Sequence, residues 1–423
     1  MKAAIRLPAL FVQAGAATSG KSELGAALSW RPHSGKFRLL AGIFLALFAA
    51  YEIAYLAIAV GGGWPHGPGD SFALWSWGRF LEDHPATTIY DAATLRAAQL
   101  ALGMDPGASY PFAYPPSYLP LLSLLGLLPG PVAFGALIAA SLPFYLWATV
   151  GREWRSPALV AALVAPTTAI AVVSGQSGLL TAALLAGGLR LAAGSRVAAG
   201  IFFGLLTYKP QLGLLVPVAL LAAGLWRTLA AAVVTAILLV LLTSLLFGGA
   251  IWPSWVAALP AFSRQFAAES SQIVHFMPTI LIALLRLGAP PAAAQLAQGA
   301  ATFGAVAIVW TLFRSGPTQL AGAGLLVAAL LATPYAFVYD MPGVATAVIW
   351  LVAERHRAGD ALGTGEVLVT ILAMMAPITL VTGTSRFPLA SIALVLLLGA
   401  IVRRSRHLCA QAASALPPPA SSG

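Results

Sequence analysis

Long apolar runs separated by short polar breaks dominate the chain, and they set the first expectation. Runs of roughly 15 to 22 residues are long enough to cross a bilayer as helices. They fall near residues 39–60, 131–150, 157–173, 177–193, 197–207, 210–226, 229–247, 292–312, 319–333, 341–353, 365–382 and 388–402. Two shorter runs, near 117–128 and 277–288, do not reach across and read as interfacial or re-entrant. The pattern predicts an all-α polytopic membrane protein with about twelve transmembrane helices. Because the runs are continuous rather than alternating, a β-barrel is excluded.

Composition sharpens this picture. The 423 residues are 59% hydrophobic and 9% charged, where soluble globular domains carry about a quarter charged residues. A net charge of +10 raises the question of nucleic acid. The basic residues, however, stand singly or in pairs between apolar runs, as orientation by the positive-inside rule requires. No nucleic-acid partner is expected. With the N-terminus inside, 17 of the 23 Lys and Arg residues fall on the inner side. Arg79, Arg96, Lys209, Arg264, Arg286 and Arg386 remain outside. Counting the two short runs as spans turns several basic loops outward, so charge favours the twelve-span reading.

The single cysteine, Cys409, leaves neither a disulfide framework nor a cysteine metal site. Residues 1–38 read as a cytoplasmic tail before a signal-anchor helix rather than as a signal peptide. Residues 39–402 form the membrane domain, with outer loops at about 61–130 and 248–291. Residues 403–423, ending in LPPPASSG, read as a disordered cytoplasmic tail. No internal repeat points to a transporter built from two related halves.

Hydrocarbon tolerates few polar groups, so those kept at the ends of spans are functional candidates. Most of them gather on the outer side. GDSFALWSWGRFLEDHPATTIYD (69–91) follows GGGWPHGPG and holds four of the thirteen acidic residues. As a helix, 71–84 puts Leu74, Trp77, Phe80 and Leu81 on one face, with Ser76, Arg79, Glu82 and Asp83 opposite. That suits a helix lying in the membrane interface. Phe72 and Trp75 break the pattern and face a substrate or another helix. Asp70 is either the N-cap of that helix or a catalytic carboxylate. Glu82 and Asp83 read as solvated, and Asp91 as a second cap.

YPFAYPPSY (110–118) forces an extended turn and is either a rigid loop or a substrate-lining one. In SGQSG (174–178) small residues allow close backbone approach, while Gln176 can hydrogen-bond in a cavity. Three of the four lysines precede residue 37; the fourth, Lys209, stands in TYKPQ against the positive-inside trend. It either holds a lipid phosphate as a point charge or snorkels to headgroups. Asp340, in PYAFVYDMP with Tyr335 and Tyr339, either binds a sugar hydroxyl or pairs with Lys209 or an arginine. His275, in SSQIVHFMPT, contacts substrate or sits in the interface. There is no metal-ligand cluster, P-loop, dinucleotide fingerprint or nucleophile elbow.

The order of these motifs resembles glycosyltransferase family 87, the polyprenol-phosphate-mannose-dependent mannosyltransferases of the membrane-embedded GT-C fold. GDSFALWSWG with TIYD, FAYPPSYLPLLSLLGLLP, SGQSGLL and GLLTYKPQLGLL carry the resemblance, over roughly residues 40–345. It implies an active site on the extracytoplasmic side of the inner (plasma) membrane. Asp70 would be the general base and Lys209 the contact to the donor phosphate. Tyr114, Gln176, Gln211, His275, Tyr335 and Asp340 would bind substrate. No cofactor is implied, no metal ligands are assigned and metal dependence stays open; the polyprenyl-phosphate-linked sugar is a substrate, and the acceptor is a lipid or glycan. The family leads one to expect a His, or a Ser/His loop, near 335–340, where PYAFVYD offers Tyr and Asp. The rival reading is a transporter or flippase, which would keep its ionisable groups near mid-membrane.

Overall fold

In the computed structural model the described residues are 70–152, 156–316, 318–383 and 387–414, with the helical Ala46 and Ala50. The rest of the expected first span, the 1–38 tail, the GGGWPHGPG entry, Arg155 and Arg386 lie outside them. No strand occurs among the described residues.

From residue 70 on, the helices are first α1 (Ser71–Asp83), α2 (Ala92–Ala101), α3 (Leu119–Gly126) and α4 (Gly130–Val150). Next come α5 (Pro157–Leu163), α6 (Pro166–Ser174), α7 (Gly178–Leu191) and α8 (Arg196–Leu205). They are followed by α9 (Pro210–Gly213), α10 (Val216–Ala222), α11 (Trp226–Phe247) and α12 (Ile251–Ile273). The last third holds α13 (Ile280–Arg286), α14 (Pro291–Phe313), α15 (Gln319–Ala332), α16 (Pro342–Arg357), α17 (Thr364–Thr382) and α18 (Leu389–Ser414).

Prolines place many of these boundaries. A Pro supplies a ready φ at the first turn and bars its predecessor from the helical region. Pro166 accordingly parts α5 from α6, which meet at a bend of 44°, and Pro210 parts Lys209 from α9. The consequence is many short helices. Among the described residues four helices, α4, α11, α14 and α17, are long and apolar enough to cross a membrane, or five spans if α5 and α6 count as one.

The expected twelve spans are therefore not seen as twelve long helices. Both α7 and α15 have 14 residues, and at 1.5 Å per residue each rises about 21 Å against a hydrocarbon core of about 30 Å. They form the centre of the molecule instead. Every residue of α15 from Leu320 to Ala332 is buried, as are nearly all of α7 through Gly188. Around them pack α4, α8, α14, α16 and α18. The peripheral α11 buries only Thr228 and Thr243 and exposes Leu238, Leu241 and Leu245. An apolar surface of that kind belongs in lipid, and the protein is a membrane protein. On its inner side Gly200 and Gly204 let α8 lie directly against α11: an added Cβ would stand 2.5 Å from the Thr228 carbonyl and 2.6 Å from that of Ala232.

Three local expectations change. Residues 71–83 do form a helix, but Ser76 and Trp77 are both buried, so α1 is packed on the face expected to be polar as well as on the apolar one. The stretch 248–291, expected as an outer loop, contains the 23-residue α12. The C-terminal helix continues to Ser414, past the expected start of a disordered tail. Charge pairing explains part of that extension. Arg404, 1% exposed along its side chain, holds Glu354 at 2.8 Å and Asp360 at 2.6 Å, while Arg355 and Arg403 share Glu366.

The seat of α1 is set by two glycines. A Cβ on Gly78 would stand 2.0 Å from the Leu122 carbonyl oxygen, and one on Gly126 would stand 2.3 Å from the Gly78 carbonyl carbon. Gly78→Ala is expected to push α1 off α3 and to cost about 1–3 kcal/mol, as overpacking does. Thermal melting in detergent checks this; an unchanged midpoint would show that the helices do not meet there.

Candidate active site

Three chain segments meet at one end of the helical core. The first is the start of α1, the second is 174–178 between α6 and α7, and the third is the turn Val338–Asp340 before α16. Glycines allow the meeting. Gly175 ends α6 with φ +63°, and its missing Cβ leaves room for Ser71, whose Cβ would otherwise be 2.5 Å away. Gly178 lies under the Tyr339 carbonyl, where a Cβ would stand at 1.7 Å. The main chain of Asp70 donates to the Ser174 carbonyl at 2.7 Å, fixing the start of α1 against this loop.

Asp70 occupies the N-cap position of α1, yet its carboxylate makes no capping bond. It accepts instead from Nε2 of Gln176 at 3.1 Å. The cap half of the sequence expectation thus holds for position and not for the side chain. Burial pushes the Asp70 carboxyl above the ordinary range, while the Gln176 hydrogen bond and the charge of Lys209 pull it back. Asp91 does cap, accepting from the Thr94 N–H at 2.8 Å, and Glu82 pairs with Arg79.

Lys209 follows a single turn, Leu206–Tyr208, that Pro210 cannot continue. Its side chain is 1% exposed and its Nζ lies 2.7 Å from Oδ1 of Asp340. It therefore does not snorkel, nor is it a free cation. The second Asp340 oxygen accepts the Phe337 N–H at 3.2 Å. Two tyrosine rings face the ammonium, Tyr339 at 5.2 Å and Tyr114 at 5.9 Å. Burial, the neighbouring Tyr114 and the charges of Asp70 and Asp340 raise the Tyr339 phenol. Asp70, Tyr110, Tyr114 and Tyr339 are partly exposed, whereas Gln176, Lys209 and Asp340 are buried behind them.

Of the eight residues singled out in the sequence, the structure brings together Asp70, Tyr114, Gln176, Lys209 and Asp340. The other three are elsewhere. His275 lies over Phe276 with ring centroids 3.9 Å apart, and burial with the charge of Arg286 lowers its pKa. Tyr335 is 37% exposed, its main chain donating to Oγ1 of Thr333 at 3.0 Å. Gln211 is half-buried on α9. Tyr339 takes the place expected for Tyr335, and no local signal separated the two. Only the tight turn 338–340 turns Tyr339 inward. In YPFAYPPSY the Tyr110 carbonyl accepts from Trp77 at 3.0 Å, as a rigid loop would, and the Tyr114 ring stands beside Lys209. Among the described residues no three His, Cys, Asp or Glu side chains gather as metal ligands.

Fold and site together define a helical membrane protein that assembles a carboxylate, an amide, two phenols and a paired lysine at helix ends. The sequence profile of glycosyltransferase family 87 matches residues 112–338, more than half of the chain. The chain belongs to that family and is a glycosyltransferase. The matched stretch contains Tyr114, Gln176 and Lys209 and stops two residues before Asp340; Asp70 precedes it. No curated protein and no solved structure matches the chain.

Proposed function

We propose that the protein moves a sugar, mannose, from a polyprenyl-phosphate donor to a hydroxyl of a lipid or glycan acceptor. Transfer takes place on the extracytoplasmic side of the inner membrane. The observation that carries this reading is the Asp70 carboxylate, which leaves its own helix N-terminus unbonded and turns to Gln176 within range of the Lys209 charge. Such a carboxylate is a base held for something other than capping.

The chemistry follows from the groups. Asp70 takes the proton of the acceptor hydroxyl as its oxygen attacks the anomeric carbon. The bond from that carbon to the phosphate oxygen breaks, and polyprenyl phosphate leaves with the negative charge. One displacement inverts the anomeric centre. Lys209 faces the developing charge; its ammonium has three donors, and Asp340 takes one. Tyr114, Gln176 and Asp340 line the substrate, with Gln211, His275 and Tyr335 as outlying contacts. A GT-C architecture of about twelve spans belongs to this reading; among the short helices, α5 with α6 can count as one bent span.

Sidedness rests on α16, whose first turn adjoins Asp340 and whose last carries Arg355 and Arg357 beside the Glu354–Arg404 pair. The 16 residues put about 24 Å between the site and that basic end.

A buried ion pair where two helices break is also how a carrier holds its cargo, which favours the transporter as the second reading. Family membership weighs against it. Liposomes holding the purified protein, polyprenyl-phosphate-mannose and candidate acceptors decide between them. Transfer with inversion is expected; solute flux without transfer from any polyprenyl-phosphate sugar would establish the carrier.

A further inference from the structure

An aspartate at a helix start ordinarily turns its carboxylate onto the free N–H groups of the first turn. Asp70 does not. We propose that Gln176 is a positioning residue for glycosyl transfer, holding the Asp70 carboxylate off the α1 N-terminus and toward the acceptor hydroxyl while its own Oε1 receives a substrate hydroxyl. This rests on Asp70 being the base.

The geometry carries it in two parts. One oxygen of Asp70 is held by Nε2 of Gln176 at 3.1 Å, and the second is left for a proton. On the other side of the same amide, Oε1 is buried and has no hydrogen-bond partner among the described residues. Gln176 itself is 3% exposed. A buried amide oxygen is rarely left unbonded, and a sugar hydroxyl at Asp70 would satisfy it. The backbone beneath is tightly packed, Gly175 against Ser71 and Gly178 against the Tyr339 carbonyl.

The pH profile separates positioning from simple packing. Gln176 bonds the ionised form of Asp70 and favours it, against burial. The other groups acting on this neighbourhood are Lys209 from the 206–209 turn, Tyr110 and Tyr114 from the loop before α3, and Tyr339 and Asp340 from the 338–340 turn. None of them changes in a Gln176 variant.

The test compares wild type, Gln176→Leu, Gln176→Glu and Asp70→Asn in transfer from polyprenyl-phosphate-mannose, with pH profiles and melting curves. In Gln176→Leu, kcat should fall about a hundredfold, the scale of a misplaced catalytic group. Its donor KM should stay within about twofold, since the donor phosphate lies at Lys209. The acid limb of kcat/KM should move to higher pH, and further in Gln176→Glu, where two carboxylates compete for one proton. A fall in kcat with the acid limb unmoved in both variants would reduce Gln176 to packing. A raised KM with an unmoved limb would make it an ordinary substrate contact. Normal transfer by Asp70→Asn, or none by wild type, would instead overturn the reading beneath.

Discussion

Asp70→Asn should lower kcat by about 10²- to 10⁴-fold, the range that a positioned general base supplies. That is roughly 3–5 kcal/mol of transition-state stabilisation. The substitution is nearly isosteric, so what changes is the capacity to take a proton. Its main-chain bond to Ser174 survives, and the new amide oxygen can still accept from Gln176. Burial already disfavours the charged form of this carboxyl, so removing the charge should leave the melting temperature equal or higher. The combination of a stable fold and a lost kcat is therefore the expected signature. A well-folded Asp70→Asn enzyme with normal kcat would sink the assignment. In wild type the acid limb of kcat should lie above the ordinary carboxylate range of about 4, because the base works only when ionised and burial raises its pKa.

The second large effect concerns the Lys209–Asp340 pair. Removing one partner strands a charge in the interior, and such losses run to about 3–5 kcal/mol. Asp340→Asn should accordingly melt far below wild type, leaving the Lys209 ammonium between two tyrosine rings with its carboxylate gone. Lys209→Met should also destabilise, although Asp340 keeps the Phe337 N–H. The double variant Lys209→Met/Asp340→Leu should recover most of the stability, since apolar replacements of a buried pair are often neutral. It should not recover donor binding. This separation matters, because a lost fold and a lost phosphate contact both abolish transfer. Melting of the three variants alongside donor KM of those that fold distinguishes them. If both single variants melt like wild type, the pair is not formed; if the folded double variant keeps the wild-type donor KM, Lys209 does not meet the phosphate.

Part of this site is readable along the chain. Lys209 stands out because a lysine between apolar runs, on the side that the charge pattern assigns as outer, departs from the asymmetry of the other basic residues. Asp70 stands out for its place after a Gly-rich entry, and SGQSG for its small residues. What these residues touch is a separate matter. Asp70 reads equally well as a cap, and it does occupy the cap position; only the approach of Gln176 draws the carboxylate away. Tyr335 and Tyr339 share one segment and one residue type, and a single tight turn sends one outward and the other over Lys209.

The apolar runs overstated the long helices for a related reason. Hydropathy registers burial in any apolar medium, and it does not distinguish lipid from a protein interior. The run at 319–333 is apolar because α15 is wrapped by other helices, whereas that at 229–247 is apolar because α11 faces outward. By itself the sequence determined the helical membrane class, the family and the polar residues worth following, since these depend on composition and local order. Tertiary structure alone decided that Gln176 holds Asp70 across 106 positions and that Asp340 holds Lys209 across 131. Those pairings depend on how closely backbones can approach at Gly175 and Gly178, and that closeness is a property of the packed molecule.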